Sequence, residues 1–229
     1  MESLADDEMV NIVLSHDGTV LKIQRTLLLN LSPWFQKALT SGFIEGQSLT
    51  LRFPGVPTDV VQTFVYWIFH GTIRWGDNSA QGEMLETCKE QQALFARLWM
   101  FGEEHLLPEL QHAAICALSE QLLHAFPTVE PLLEVYEGTA PDSPLRKVMA
   151  HEAASGWRIR IPSDSKENKS CYSRGDLDKL GAIAGCAADF ATALEIEMQI
   201  AESHRFRDSQ DTIIRQRSTQ DLSSAEEEI

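Results

Sequence analysis

Apolar and polar residues alternate in two short segments near the N-terminus. Val10, Ile12 and Leu14 occupy every second position, and the extended pattern resumes at Val20 after the pair Asp17-Gly18. Strict alternation places the apolar side chains on one face of a strand, and Asp-Gly is a favoured dipeptide at the tip of a two-stranded hairpin. These residues therefore predict a β-hairpin.

The apolar spacing becomes helical directly after the hairpin. Leu and Phe recur at helical spacing over residues 27–39, and Ser32-Pro33 interrupts them once. Ser can cap a helix and Pro fits its first turn, so this pair predicts two short helices in place of one. Residues 48–53 alternate again and predict a third strand. A helix is then predicted from Pro57 to Gly71, where Gly suits a C-cap.

The chain beyond Gly71 is predicted to be mainly helical. Residues 72–75 predict a last short strand, and the polar residues 76–92 predict a loop or a frayed helix start. A helical hairpin is predicted from Ala93 onward, divided at Pro108. Two further helices are predicted from their cap residues, the first over residues 130–138 and the second over residues 143–156.

Near the C-terminus, apolar residues step by three and four from Leu177 to Ala201. This spacing is that of a coiled-coil seam. However, Gly181 and Gly185 weaken an isolated helix, and complementary flanking charges are missing. An amphipathic helix packed on a surface is therefore favoured over a coiled coil.

These patterns predict the α+β class, with a small three-stranded sheet flanked by helices and followed by a helical extension. Along the chain they predict an acidic N-terminal tail (1–9), a main domain (10–124), a helical extension (125–157), a polar linker (158–175), a C-terminal amphipathic helix (176–204) and a disordered tail (205–229). The compact part is expected to end near Trp157.

Charge narrows the classes of partner. The 229 residues contain 34 acidic and 19 basic side chains, a net charge of −15. This average field repels nucleic-acid phosphates and anionic lipid, so neither nucleic acid nor a membrane is expected as a partner. No apolar run is long enough to span a bilayer, and the N-terminus does not resemble a secretory signal. We expect a soluble protein of the cytoplasm, the nucleus or both.

The sequence offers little for catalysis or metal binding. It lacks Gly-rich phosphate loops, His-Glu-x-x-His and Gly-x-Ser-x-Gly, and its four cysteines are dispersed. His112 and Cys116 lie one helical turn apart and could share a metal, although a buried helix face is favoured. Ser163 and Lys166 have the Ser-x-x-Lys spacing of some acyl-transfer enzymes, but in a very polar segment. We therefore expect no enzyme, cofactor, metal site or small-molecule substrate, and a hydrolase remains a third hypothesis.

Several short motifs occur in one order between residues 10 and 123. They are Val10-x-Ile12-Val13, Leu21-x-Ile23-Gln24-Arg25, Leu27-Leu28, Ser32-Pro33-Trp34-Phe35, Gly42-Phe43-Ile44-Glu45, Leu49-x-Leu51, Phe64-x-x-Trp67-Ile68-Phe69-x-Gly71-x-Ile73 and, after Leu98 to His105, Leu107-Pro108-Glu109-Leu110-Gln111. In order and spacing this set resembles a BTB/POZ domain. Two later pieces, Val135-Tyr136-Glu137 and Ser143-Pro144-Leu145-Arg146-Lys147, resemble the extension of many short fungal BTB proteins.

The resemblance implies the BTB/POZ fold and a protein–protein interaction module, an adaptor or scaffold. It is closest in outline to the adaptor subunits of ubiquitin ligases, which implies a cullin as one candidate partner. Phe43-Ile44-Glu45 matches the hydrophobic-x-Glu pattern of cullin-binding members, so Phe43 and Glu45 are the candidate contacts. The alternative is that Phe43 closes the core and Glu45 is simply exposed.

The resemblance also marks a charge-pocket position at Gln24 and Arg25, where the family tends to have His-Lys. The Asp often found at the start of the first strand is replaced by Met9 or Val10, with only Asp7 and Glu8 nearby, so Arg25 is expected to lack its partner. The residues before Val10 are too few for the swapped strand and helix of family dimers, which disfavours dimerisation by that route. The net charge is also expected to favour a basic groove on the partner.

A second function class stays open. A self-associating BTB protein linked to transcriptional regulation would use the predicted helix at residues 176–201 to form homo- or hetero-oligomers.

Overall fold

The computed structural model describes residues 7–14, 18–73, 84–158 and 172–201. These residues form a small three-stranded sheet and ten helices, which agrees with the predicted α+β class. The strands are β1 (Met9–Val13), β2 (Val20–Gln24) and β3 (Thr50–Arg52). The helices are α1 (Arg25–Leu31), α2 (Pro33–Thr40), α3 (Ile44–Ser48), α4 (Thr58–His70), α5 (Met84–Glu104), α6 (Pro108–Leu122), α7 (Val129–Gly138), α8 (Pro144–Arg158), α9 (Arg174–Gly181) and α10 (186–201).

The sheet has the strand order β2-β1-β3. The hairpin strands β1 and β2 are antiparallel, as predicted, and the structure places Ile12 opposite Leu21. The third strand, β3, runs parallel to β1, and its residue Leu51 pairs with Ile12. A parallel pair needs a crossover connection, and the helices α1, α2 and α3 provide it. The predicted tip residue Asp17 lies outside the described residues, whereas Gly18 has the left-handed φ of +71° that suits a turn.

The predicted break between the first two helices is confirmed. The Ser32 hydroxyl accepts a hydrogen bond from the Phe35 N–H, and Pro33 occupies the first turn of α2. The short helix α3 was not predicted, because five residues are too few to show a period. It ends at Leu49, whose φ of +47° turns the chain into β3.

The core of the main domain joins the sheet to helices α2, α4 and α5. Phe35 stacks on Phe64 at 5.8 Å, and Phe64 lies 4.9 Å from Phe101, measured between ring centroids. All three rings are buried. Helix α4 ends as predicted at Gly71, which has a φ of +67° and donates its N–H to the Trp67 carbonyl.

Two predicted boundaries are corrected. The polar residues 76–92 are predicted to form either a loop or a frayed helix start. Helix α5 begins at Met84, so residues 84–92 are helical and not a loop. Cys88 and Gln92, one turn apart, are both buried, and the Gln92 amide donates to the Ala125 carbonyl at 2.7 Å, which explains why a polar segment is helical. Helix α8 continues through Gly156 instead of ending there. Of the strand predicted at 72–75, the described residues Thr72 and Ile73 are not in a strand.

The single helix predicted over residues 176–204 is instead two helices within the described residues. A capping box between Ser173 and Asp176 opens α9, and this reciprocal hydrogen bonding holds the pKa of Asp176 below its usual value. The chain then turns at residues 182–185, where Gly185 has a φ of +86°, before α10 begins. The two helix-weakening glycines thus end one helix and divide it from the next.

By its contacts the chain divides into two compact units, Met1–Val148 and Met149–Ile229. This boundary lies inside α8, whereas the sequence placed the end of the compact part near Trp157. In the second unit, Ala150 and Ala154 of α8 form a small apolar cluster with Ala193 of α10. The predicted tail at 205–229 and most of the predicted linker lie outside the described residues. None of the helices in the described ranges is long and apolar enough to cross a membrane.

Candidate interaction site

The connection from α2 to α3 exposes two large apolar side chains. Phe43 is 54% exposed and Ile44 is 74% exposed. Phe43 is the N-cap residue of α3, and its carbonyl accepts a hydrogen bond from the Gln47 N–H. The backbone of this segment is therefore held by hydrogen bonds while its apolar side chains face outward. Adjacent exposed apolar side chains are typical of interaction surfaces.

A groove of about 450 Å³ lies beside this connection. We call it the α3 groove. Its lining residues come from α2, from the α2–α3 connection and α3, and from β3: Trp34, Lys37, Ala38, Phe43, Glu45, Leu51 and Arg52.

The inner part of the α3 groove is fixed by the core. Leu51 is fully buried, and Trp34 is half-buried. The Trp34 ring contacts the ring of Phe35 edge-on at 5.0 Å and that of His105 at 4.4 Å. Aromatic contacts of this kind hold a ring in place. The groove thus has a rigid apolar floor next to the exposed Phe43.

Both predicted contact residues, Phe43 and Glu45, line the α3 groove. The alternative that Phe43 closes the core is wrong, because more than half of its side chain is exposed. Glu45 is half-buried in the first turn of α3, where a carboxylate is favoured by the helix dipole. The sequence did not indicate the other lining residues. They come from helix α2 and strand β3, which lie outside the Phe43-Ile44-Glu45 motif and meet it only in the folded chain.

Arg25 has an acidic partner, contrary to the expectation from the sequence. Its guanidinium Nη1 lies 2.5 Å from Glu8 Oε2, and Nη2 donates to the Leu39 carbonyl at 2.9 Å. The expectation looked for the acidic residue at Met9 or Val10 and did not count the nearby Asp7 and Glu8, but the hairpin register places Glu8 opposite Arg25. Gln24, the other charge-pocket residue, ends β2 and is the N-cap residue of α1. Neither Gln24 nor Arg25 lines the α3 groove.

The helical extension is tied to the main domain through α7. Arg97 of α5 donates two hydrogen bonds to Glu134 of α7, at 2.6 and 2.9 Å. The hydrogen bonding with Glu134 raises the pKa of Arg97 above its usual value. A cavity of about 360 Å³ lies nearby, lined by Arg97, Met100 and Gly138 among others.

The candidates for metal and catalytic chemistry gain no support. His112 and Cys116 are both exposed, with 3.8 Å between Nε2 and Sγ, so the buried helix face favoured for them is wrong. Across the described ranges, no group of three or more His, Cys, Asp or Glu side chains could hold a metal ion. Ser163 and Lys166 lie outside the described residues.

Comparison with known proteins assigns no family to this chain. No protein-family model matches the sequence. A search of curated proteins found no match either.

Proposed function

We propose that this chain is a non-enzymatic protein–protein interaction module of the BTB/POZ type, an adaptor or scaffold. Its specific role in this proposal is that of a substrate adaptor in a cullin-RING ubiquitin ligase. The observation that carries the proposal is the exposed pair Phe43 and Ile44 beside a groove with a rigid apolar floor. The order β1, β2, α1, α2, β3, α4, α5 and α6 supports the BTB/POZ part, because the resemblance implies these elements in this sequence, although α3 is additional and the short strand after α4 is not present at Thr72 and Ile73.

In this proposal Phe43 is the anchor of the interface. Phe43 is 54% exposed in the free protein, so its full burial in a partner pocket contributes about half of the 1.5–3 kcal/mol of a fully exposed aromatic side chain, or about 1–1.5 kcal/mol. The adjacent Glu45 carboxylate pairs with a donor on the partner and fixes the register of the two surfaces. The half-buried Trp34 on the floor of the groove receives an apolar side chain of the partner in return. Because Trp34 and Leu51 are held by core contacts, binding costs little conformational entropy on this side of the groove.

The helical extension gives such an adaptor a second surface for a client protein. The double hydrogen bond between Arg97 and Glu134 holds α7 on α5. A client bound to α7 would therefore be held rigidly relative to the α3 groove, which is what a ligase adaptor requires of its two surfaces. The groove and α7 belong to the same compact unit.

Binding of the full chain to purified N-terminal domains of cullins tests the proposal. We expect wild-type protein to bind at least one of them, and Phe43→Ala to weaken that binding about 30-fold, equivalent to about 2 kcal/mol. Glu45→Ala is expected to weaken it about tenfold. Leu123→Ala is the matched control, because Leu123 is also a large apolar side chain, is 81% exposed and does not line the groove.

The outcomes are distinct. Binding that is lost in Phe43→Ala and kept in Leu123→Ala supports the ligase role. Equal binding by all variants, or no binding to any cullin, contradicts it. Circular dichroism and thermal unfolding of each variant establish that a loss of binding is not a loss of folding.

A second candidate function is self-association through α10. Ile196 and Ile200 lie one turn apart on this helix and are 46% and 45% exposed. Light scattering on the full chain tests it: we expect an oligomer that Ile196→Lys disperses. Ala191→Lys is the control, because Ala191 is exposed on another side of the helix and the charge change is the same. A wild-type monomer would remove this candidate.

A further inference from the structure

The charge of the α3 groove differs from that of the whole chain. The chain has 34 acidic and 19 basic residues, yet the charged residues lining the groove are the basic Lys37 and Arg52 and the acidic Glu45. The groove is thus locally positive by one charge in a protein whose net charge is −15. Such a local reversal does not follow from the composition and must come from the folded arrangement.

The two basic side chains reach the groove from different elements. Lys37 belongs to the last turn of α2 and Arg52 to β3, and both side chains are exposed. In the part of the chain that the structure describes, neither forms an ion pair. Their charges are therefore available to a ligand, unlike that of Arg25, which is paired with Glu8.

Arg and Lys offer a ligand different contacts. An Arg guanidinium binds a carboxylate with two parallel hydrogen bonds, whereas a Lys ammonium acts as a compact point charge. Both lie beside the apolar floor made by Trp34 and Leu51. A ligand that satisfies the whole groove therefore combines carboxylates with an apolar side chain. A nucleic acid offers anions too, but its long phosphate chain would meet the repulsion of the −15 field beyond the groove.

We infer that the α3 groove binds an acidic segment of a partner protein, in which Asp or Glu side chains pair with Lys37 and Arg52 and an apolar side chain packs against the half-buried Trp34. This inference rests on the proposed function, since it specifies the partner surface at the same groove. It departs from the net charge, which taken alone favours a basic partner. The attraction is local because charges beyond about 8 Å are largely screened at physiological salt.

Selection from a randomised peptide library displayed on phage tests the inference with the full chain as bait. We expect the enriched peptides to contain several Asp or Glu residues together with a Leu or an aromatic residue. A synthetic copy of an enriched peptide should bind about tenfold more weakly to Lys37→Glu and to Arg52→Glu than to wild-type protein. Its affinity should also fall as salt is raised.

Lys22→Glu is the matched control. Lys22 is an exposed residue of β2 outside the groove, and the substitution changes the net charge by the same amount. Enriched acidic peptides that lose affinity for the groove variants but not for Lys22→Glu support the inference. Neutral or basic enriched peptides, no enrichment, or equal losses in all three variants overturn it. A dimer of the full chain that the groove variants disperse would overturn it as well, because the occupant would be a second copy.

The cullin experiment separates this inference from the proposed function. Cullin binding that depends on Phe43 but not on Lys37 or Arg52 would leave the ligase role intact and remove the acidic segment. If acidic peptides require Lys37 and Arg52 but the protein binds no cullin, the acidic-segment inference stands and the ligase role is removed.

Discussion

Arg25 and Glu8 are joined twice, by a backbone and a side-chain contact. The Arg25 N–H donates to the Glu8 carbonyl at 2.8 Å, and the guanidinium Nη1 lies 2.5 Å from Glu8 Oε2. Arg25 also donates to the carbonyl of Leu39 in α2. One side chain thus links the start of β1 to the last turn of a helix that lines the α3 groove.

Substitution of Arg25 should destabilise the main domain more than substitution of Glu8. We expect Arg25→Ala to lower the free energy of unfolding by about 1–2 kcal/mol, because it leaves the Leu39 carbonyl without this donor. Glu8→Gln should cost at most about 1 kcal/mol, since the ion pair is partly exposed and solvent screens it. Urea unfolding measures both. A Glu8→Gln cost equal to that of Arg25→Ala would contradict the importance of the Leu39 contact.

This pair illustrates which parts of the fold the sequence could predict. The alternation from Val10 to Leu14 has the period of a strand, and the Ser32-Pro33 break follows from local capping chemistry, so both were predictable. The partner of Arg25 was not, because it depends on the register between two strands. In the observed register Met9 is opposite Gln24, and the next pair brings Glu8 opposite Arg25.

Gly46 allows α3 to lie close to the end of α2. A Cβ atom at Gly46 would come within 2.8 Å of the Ser41 carbonyl oxygen and 3.0 Å of the Leu39 carbonyl oxygen, both backbone atoms that cannot move aside. We therefore expect Gly46→Ala to cost about 1–3 kcal/mol of stability and to displace α3, with weaker partner binding at Phe43.

Gly42→Ala is the matched control for this prediction. A Cβ atom at Gly42 would have no neighbour within 4 Å, so the substitution should change stability by less than about 0.5 kcal/mol. Chemical unfolding and cullin or peptide binding are measured on both variants. Equal effects would mean that the close approach at Gly46 does not determine the position of α3.

Arg146 closes the C-terminal end of α7 from within the core. It is buried, and its guanidinium donates to the Tyr136 carbonyl at 2.6 Å, to the Thr139 hydroxyl at 3.0 Å and to the Thr139 carbonyl. It also lies 4.8 Å from the centroid of the Tyr136 ring. The carbonyls at a helix C-terminus lack internal partners and carry partial negative charge, so a cation is favoured there.

Substitution of Arg146 should therefore be costly even when the charge is kept. We expect Arg146→Met to lower the free energy of unfolding by about 3–5 kcal/mol, because it leaves buried carbonyls unpaired. Arg146→Lys should cost about 1–3 kcal/mol, since an ammonium cannot reproduce the planar fork of donors. Lys147→Met, at the exposed neighbour, should be nearly neutral. Full rescue by Lys would show that charge alone matters.

The candidate site was predictable only in part. Phe43 and Glu45 are neighbours in the sequence and belong to a recognisable motif, so both could be named in advance. Lys37 and Arg52 could not, because no short motif joins them and only the fold brings α2 beside β3. The net charge of −15 favours a basic partner instead. Composition gives only the average charge of the chain, whereas the charge of a binding groove depends on which residues the fold brings together.

The burial of His105 predicts that the stability of the main domain depends on pH. Its ring is buried against Phe101, at 4.0 Å between centroids, and against Trp34 of the α3 groove. Nδ1 donates to the Phe101 carbonyl at 2.8 Å, because that oxygen can only accept. Burial lowers the pKa of His105 below its ordinary value of 6.5, and the hydrogen bond to Phe101 opposes this only in part.

The sign of the pH effect follows from this lowered pKa. In the window between the folded pKa and 6.5 the unfolded chain binds more protons than the folded one, so stability is complete above that window and falls as the pH drops through it. We expect His105→Phe to reduce the loss of unfolding free energy between about pH 8 and about pH 5. His124→Phe, the same change at an exposed position, should leave the loss unchanged. Urea unfolding across this range measures each curve, and equal losses in wild-type and His105→Phe proteins would assign the pH dependence to other groups.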